Sequence, residues 1–137
     1  MGHDALLEVF FEEPNMGLGI REISRLTRTP KSMVQREIIK LLKKRLIIKK
    51  KEGYFANEDF KKFRISKRIF AMQKIYDTGI VDYLEETFNP RAIMLFGSFA
   101  KGEYTKKSDI DLFVQAKEKA YNLEKYEKKL HHKYKYN

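Results

Sequence analysis

The sequence predicts an α+β protein in which two modules are joined by a helical segment. The chain has 137 residues, of which 42% are apolar, so it can build one ordinary core or two small ones. Its positive charge is localised: positions 28–51 hold ten Lys or Arg and a single acid, Glu37. From position 78 onward, eleven Lys or Arg are nearly balanced by nine Asp or Glu. This asymmetry indicates two modules of different electrostatic character.

Composition also excludes several classes of protein. The chain has no cysteine, so neither disulfides nor thiolate zinc sites can contribute to its stability or chemistry. The longest fully apolar run, 92–96, is far too short to span a bilayer, and the first ten residues lack the pattern of a signal peptide. We therefore expect a cytoplasmic protein without a membrane partner.

The first half has the apolar spacing of three helices followed by a hairpin. Positions 4–11 and 20–26 show helical periodicity, and Thr29 is placed to cap a third helix that starts at Pro30 and runs to about Lys44. At 100° per residue, the third helix directs Val34, Ile38 and Leu41 toward a core and Ser32, Arg36 and Lys43 away from it. Two short strands, 46–49 and 54–56, follow around a turn at Glu52-Gly53.

This order of elements, with the stretch IREISRLTRTPKSMVQREIIKLLKKRLI, resembles the winged helix-turn-helix family over about residues 4–57. The resemblance implies that the third helix enters the major groove of double-stranded DNA and that the hairpin contacts the DNA backbone or the minor groove. The expected DNA-binding residues are Lys31, Ser32, Gln35, Arg36 and Lys43 on the helix and Lys49, Lys50 and Lys51 on the wing. Two alternatives stay open: the basic charge could be only a solvated surface, and the motif could serve dimerisation.

Residues 58–77 are predicted to form the linker helix. Their apolar side chains, including Ile69, Met72 and Ile75, are mixed with Lys and Arg, and Thr78-Gly79 ends the segment. Core packing is the expected use of this apolar face, and its breadth also allows a homodimer.

The second module carries its chemistry in the stretch LFGSFAKGEYTKKSDIDLFV. Residues 92–96 are expected to form a buried strand that turns at Gly97-Ser98 into a short helix able to hold a phosphate. Asp109 and Asp111 fall on one side of a following strand, about 7 Å apart at Cα, near enough to bind one divalent cation. Magnesium in proteins commonly takes one or two carboxylates together with water and substrate phosphates.

The second module has a strand that ends at Gly-Ser and a second strand with Asp-Ile-Asp. This arrangement resembles minimal nucleotidyltransferases of the DNA polymerase beta superfamily over about residues 78–137. The resemblance implies transfer of an NMP from an NTP to an acceptor hydroxyl. Gly97 and Ser98 would bind nucleotide phosphate, and Asp109 and Asp111 would be the catalytic ligands of Mg²⁺, or of Mn²⁺ as the alternative metal. Lys101 stands where the family often has arginine and would offer phosphate a point charge.

One departure from the family concerns a third carboxylate. The family usually carries it on a strand after the next helix, where it binds metal and acts as a base. Here that helix is predicted over 117–130, no acid follows Glu127, and the tail can supply only a short strand without a carboxylate. Either the chain is truncated or altered, or the site is incomplete. His131 or His132 is an alternative base, although two histidines in a basic tail are more often solvated.

The sequence therefore predicts a winged helix-turn-helix at 1–57, a linker helix at 58–77 and a minimal nucleotidyltransferase-like domain at 78–137. The first functional hypothesis is an Mg²⁺-dependent nucleotidyltransferase that also binds DNA. The second is a transcription regulator whose inactive second domain senses nucleotide or mediates dimerisation. The third, implied by the resemblance, is an antitoxin-type enzyme that modifies a partner toxin protein.

Overall fold

Three helices and a β-hairpin form the first of two units into which the chain divides, residues 1–64 and 65–137. The computed structural model describes residues 3–130 and 132–136. The elements of the first unit are α1 (His3–Glu12), α2 (Ile20–Thr27), α3 (Lys31–Lys43), β1 (Ile47–Lys50) and β2 (Gly53–Ala56). Their order and approximate bounds confirm the helices and strands predicted from apolar spacing.

Helix α3 has the two faces that its sequence predicts. Val34, Ile38 and Leu41 are buried, α3 packs against α1 and α2, and most positions between the three buried residues are exposed. Removal of such side chains from water supplies the main stabilising free energy of a small core. The core of this unit also contains Leu6, Leu7, Phe10, Phe11, Leu18, Ile23, Leu46, Ile47, Ala56 and Phe63.

The start of α3 differs from the prediction at Thr29. The side chain of Thr29 is buried, and its hydroxyl donates to the carbonyl of Thr27 at 3.2 Å. Helix α3 has no side-chain cap, and the N–H groups of Met33 and Val34 bond to the carbonyl of Pro30. The predicted cap was wrong because this threonine serves the tight turn between the helices instead of the helix end.

The hairpin is extended by a single bridge from the segment before α2. Strands β1 and β2 are antiparallel, with Lys49 opposite Tyr54. Leu18 exchanges both backbone hydrogen bonds with Tyr54, at 2.9 and 2.8 Å. The bridge ties the hairpin, near its turn, to the segment that leads into α2.

Helix α4 (Lys61–Asp77) covers most of the predicted linker and crosses the boundary between the two units. Its face in the second unit is divided: Ala71 and Ile75 are buried, whereas Ile69 is 65% exposed. Core packing therefore accounts for only part of its apolar surface. Among residues 3–130 and 132–136, no helix is long and apolar enough to cross a membrane.

The second unit is built around a three-stranded sheet of order β3-β4-β5. Strands β3 and β4 are antiparallel, and β4 and β5 are parallel. The short terminal strand confirms the prediction for the tail, whereas α5 was not predicted from the sequence. The elements after α4 are α5 (Ile80–Phe88), β3 (Ala92–Phe96), α6 (Gly97–Lys101), β4 (Ile110–Gln115), α7 (Glu124–Leu130) and β5 (Tyr134–Tyr136).

Strand β3 is not the buried strand that its apolar sequence predicted. Met94 is 53% exposed and Phe96 is 39% exposed, while Ile93 and Leu95 are half-buried. The register pairs Met94 with Phe113, which is also exposed. One face of the sheet therefore carries exposed apolar side chains, because the packed elements of the unit cover the other face.

Helix α7 is shorter than predicted. It begins at Glu124 instead of near position 117, and residues 117–123 have no regular secondary structure. The side chain of Asn122 accepts a hydrogen bond from the N–H of Glu124 at 2.9 Å, and the N–H of Asn122 donates to the Tyr83 hydroxyl. A side-chain acceptor at this point starts the helix late, in the way that asparagine favours helix ends over helix interiors.

Candidate functional site

The centre of the candidate site is the contact between Asp111 and Gly97. Phe96 pairs with Asp111 across β3 and β4, so the next residue of the chain, Gly97, lies beside the aspartate. Gly97 has a φ of +71°, and a Cβ added there would overlap Oδ2 of Asp111 and lie 3.0 Å from its Cγ. Only glycine fits this position, both for its backbone conformation and for the close approach of the carboxylate.

The second carboxylate precedes the strand. Strand β4 begins at Ile110, so Asp109 lies in the connection that leads into it, and both Asp109 and Asp111 are half-buried. In the described part of the chain, no three or more His, Cys, Asp or Glu residues are grouped as metal ligands. A cation here would therefore rely on two carboxylates, a donor set that suits Mg²⁺ when substrate oxygens complete the shell.

The Gly-Ser turn is short and internally bonded. Helix α6 has only five residues, and it ends at Gly102, whose φ of +71° is also left-handed. The carbonyl of Ser98 accepts the N–H of Glu103 at 2.9 Å. Ser98 is half-buried beside the turn, and Lys101 is exposed at the end of the helix. A phosphate would therefore depend on local N–H groups and the hydroxyl more than on a long helix dipole.

A buried aromatic group that the sequence did not indicate lies behind this turn. The rings of Phe99 and Tyr104 are stacked, with centroids 4.0 Å apart and planes 2° from parallel. The edge of the His132 ring meets Phe99, and the Lys67 ammonium lies 4.4 Å from the centroid of Tyr104. Lys67 stands among apolar and basic residues of a helix, and no local pattern distinguishes it from the exposed lysines around it.

Of the two tail histidines predicted as alternative bases, the structure describes only His132. His132 is 6% exposed and its Nδ1 lies 2.7 Å from the carbonyl oxygen of Ser108. The expectation of a solvated histidine was wrong for His132, because its ring packs on aromatic side chains. His131 lies outside the described residues. Burial raises the pKa of Tyr134, and Glu127 raises it further against an opposing effect of Thr78, so the Tyr134 hydroxyl stays protonated.

Two cavities of the second unit lie on the other face of the sheet. One of about 400 Å³ is lined by Leu112 and Val114, and one of about 430 Å³ is lined by Ile93, Leu95 and Leu112. These side chains alternate with Asp111 and its register partner Phe96, so they point away from the carboxylates. The candidate site is therefore separate from both of these cavities.

The basic residues proposed to contact DNA are exposed. Ser32, Arg36 and Lys43 lie on the side of α3 opposite its buried residues, and the hairpin presents three consecutive lysines. Lys49 and Lys50 lie over the rings of Tyr54 and Phe55, at 4.6 and 5.1 Å from the centroids. The exposed set comprises Lys31, Ser32, Gln35, Arg36, Lys43, Lys49, Lys50 and Lys51.

Substitution of Gly97 tests the contact at the centre of the site. We expect Gly97→Ala to lower the free energy of unfolding by about 1–2 kcal/mol, the cost of a left-handed alanine, and to displace the Asp111 carboxylate. Gly19→Ala is the matched control, because a Cβ at Gly19 meets nothing within 4 Å and its φ is −91°. Chemical denaturation of both variants provides the measurement, and equal stabilities would contradict the description of the contact.

Comparison with known proteins finds a family match for part of the chain. Residues 78–137 match the family model described as polymerase beta, nucleotidyltransferase. A protein of Methanocaldococcus jannaschii named "Putative protein adenylyltransferase" is 45% identical over 38 residues, which are 28% of this chain and 38% of that protein. The match thus spans well under half the length of this curated relative. No solved structure gives a significant match.

The family model covers the residues that form the candidate site. Its antiparallel pair of strands places a glycine turn against a strand carboxylate, and the matched residues include this turn, both aspartates and the terminal strand. Residues 78–137 form a nucleotidyltransferase domain of the polymerase beta type.

Proposed function

We propose that the chain transfers an NMP from an Mg²⁺-bound NTP to a protein hydroxyl, with AMP as the group transferred. The observation that carries the proposal is the packing of the Asp111 carboxylate against Gly97, which brings a candidate metal ligand next to a turn of backbone N–H groups. The family of residues 78–137 supports nucleotidyl transfer. The name of the M. jannaschii relative supports adenylyl transfer to protein.

Each residue of the site has a role in this proposal. Asp109 and Asp111 would hold the metal, and a bound metal would neutralise phosphate charge. Ser98 and the N–H groups of the turn bind phosphate oxygens, and Lys101 adds a positive charge from the exposed end of α6. Because the donors are fixed by the β3–β4 pairing, they need little reorganisation when nucleotide arrives.

The transfer step conserves atoms and charge. The acceptor hydroxyl oxygen forms a bond to the α-phosphorus, and the bond from the α-phosphorus to its bridging oxygen breaks. Pyrophosphate leaves, and the hydroxyl proton passes to solvent water, since β5 carries Tyr134, Lys135 and Tyr136 and no acid. Loss of general-base assistance costs roughly 10²- to 10⁴-fold in rate, so we expect binding without fast turnover.

Removal of one carboxylate tests the metal assignment. We expect Asp111→Asn to weaken Mg²⁺-dependent ATP binding at least about tenfold, because the amide keeps the shape of the side chain but loses its charge. Asp82→Asn, an exposed position on α5, is the matched control and should bind like the unaltered chain. Isothermal calorimetry with Mg²⁺ and with EDTA gives the affinities, and equal ATP binding in EDTA would refute the assignment.

A DNA-binding role for the first unit is the second part of the proposal. Three helices, a hairpin and the exposed basic residues of α3 and β1 support a winged helix-turn-helix that binds double-stranded DNA. If the second unit binds nucleotide but transfers nothing, the chain is a nucleotide-sensing transcription regulator. Incubation with α-labelled ATP and candidate acceptor proteins separates the two, because only an enzyme leaves label on protein.

Two partner proposals remain. The exposed side chains of α4, with Ile69 at 65% and Tyr76 at 56% exposure, support a homodimer through this helix. A toxin protein as the acceptor of AMP is the alternative that the family resemblance implies. Sedimentation velocity of the chain and of Ile69→Glu tests the homodimer, which the variant should dissociate.

A further inference from the structure

We propose that Lys67, on helix α4, is a positioning residue. It holds in place the Gly97-Ser98 turn, which is the proposed phosphate site, and the residues that lead into β4. This inference rests on the proposed nucleotide site and assigns its rigidity to a buried lysine outside the family match, which begins at residue 78. Lys67 is 0% exposed. A lysine is almost never fully buried unless its ammonium is bonded, so its place in the core needs a specific reason.

The ammonium of Lys67 is bound to the connection between α6 and β4. Its Nζ donates to the carbonyl oxygen of Tyr104 and lies over the ring of the same residue. A charged donor gives a stronger hydrogen bond than a neutral one, and a desolvated cation over a ring adds to it. Lys67 therefore fixes both the backbone and the side chain of Tyr104.

Tyr104 transmits this constraint to the turn. Its ring is stacked on Phe99, the residue directly after Ser98. Phe99 and Tyr104 are both buried, and the carbonyl of Ser98 accepts the N–H of Glu103, next to Tyr104. The turn is therefore linked to Tyr104 directly by the stacking of Phe99, and to its neighbour Glu103 by the hydrogen bond of the Ser98 carbonyl.

His132 transmits the same constraint to the strand. Its ring is nearly perpendicular to the rings of Phe99 and Tyr104, at centroid distances of 4.9 and 6.1 Å, and its Nδ1 is within hydrogen-bond distance of the Ser108 carbonyl. Ser108 precedes Asp109. One continuous set of contacts thus joins Lys67 to Ser98 and to the first metal-binding carboxylate.

Lys67→Met distinguishes positioning from simple filling of the core. Methionine keeps the length and apolar stem of the side chain, and replacement of a buried charge by an apolar residue is often neutral for stability. We expect amide hydrogen exchange in the ligand-free chain to rise at least about tenfold at Glu103, Ser108 and Ile110, whereas the amides of α5 keep their protection. Lys74→Met, on the same helix, is the matched control and should leave all these rates unchanged.

The affinity for Mg²⁺-ATP provides the second measurement. We expect Lys67→Met to weaken it at least about tenfold, because the phosphate donors are no longer held in place. If exchange rises at the three amides but the unaltered chain binds no nucleotide, the proposed function fails and the positioning role stands. If exchange is unchanged, or rises equally throughout the second unit, Lys67 only fills the core and the inference is overturned.

A second variant covers the case in which Lys67→Met does not fold. Tyr104→Leu keeps the carbonyl that accepts from Lys67 but removes the ring that stacks on Phe99. It should show the same local rise in exchange at the amides of Glu103 and Ser108. A uniform loss of protection, or none, would contradict the transmission through Tyr104.

Discussion

Raising the salt concentration from about 50 to about 200 mM is expected to weaken binding of the chain to double-stranded DNA by about three decades. The reason is the release of counterions: the proposed DNA-binding lysines and arginine of α3 and the hairpin can neutralise roughly six phosphates, and each contributes about −0.9 to the slope of log affinity against log salt. Fluorescence anisotropy of labelled duplex DNA over a range of salt concentrations gives the slope. A flat response would contradict the DNA-binding proposal.

The wing lysines allow a matched comparison of charge. Replacing Lys49, Lys50 and Lys51 by glutamine should make the salt slope shallower by about 2.7, because each phosphate that is no longer neutralised removes about 0.9 from the slope. The control replaces Lys117, Lys119 and Lys125, exposed residues of the second unit, and removes the same charge. If both triple variants change the slope equally, net charge explains the binding and the proposed DNA-binding surface of the first unit does not.

Lys135→Asp is expected to raise the rate of NMP transfer by roughly 10²- to 10⁴-fold, the contribution of general-base assistance. Position 135 is the register partner of Asp111 in the parallel pair of β4 and β5. An aspartate at this position would place a third carboxylate on the strand next to β4, the strand that carries Asp111. Transfer of label from α-labelled ATP to acceptor protein, in single-turnover conditions, gives the rate.

The controls for this variant separate the loss of the Lys135 charge from the effect of an added carboxylate. Lys135→Asn removes the same lysine without adding a carboxylate and should leave the rate unchanged. Mg²⁺-ATP affinity should differ little between the two variants, since Gly97, Asp109 and Asp111 are intact in both. If the unaltered chain already turns over at about 1 per second or faster, a typical enzyme rate, the third carboxylate is not needed and the account of the transfer step is wrong.

The sequence predicted the structure best where short-range spacing or a single residue type determines the result. The periodic spacing of Val34, Ile38 and Leu41 predicted the buried face of α3, because the 3.6-residue repeat brings these side chains to one side of the helix. Gly97 and Asp111 were identified as candidate site residues from the motif alone. The structure adds their contact, which follows from the β3–β4 register that pairs Phe96 with Asp111.

Other features depended on how the elements pack and on local competition for hydrogen bonds. The exposed face of β3 could not be read from its apolar sequence, since exposure depends on which elements cover each side of the sheet. The start of α7 depends on a side-chain acceptor at Asn122, and this acceptor competes locally with helix formation.

The sequence by itself determined the order of helices and strands in the first unit, the localisation of the basic charge and the identity of the candidate site residues. These properties depend on residue type and short-range spacing, which are present in the chain before it folds. Only the tertiary structure decided that Lys67 and His132 are buried behind the Gly97-Ser98 turn, 37 and 24 residues from the backbone carbonyls they contact. Burial of a charged or polar side chain is stable only when folding brings its partner to it, and no local pattern specifies that partner.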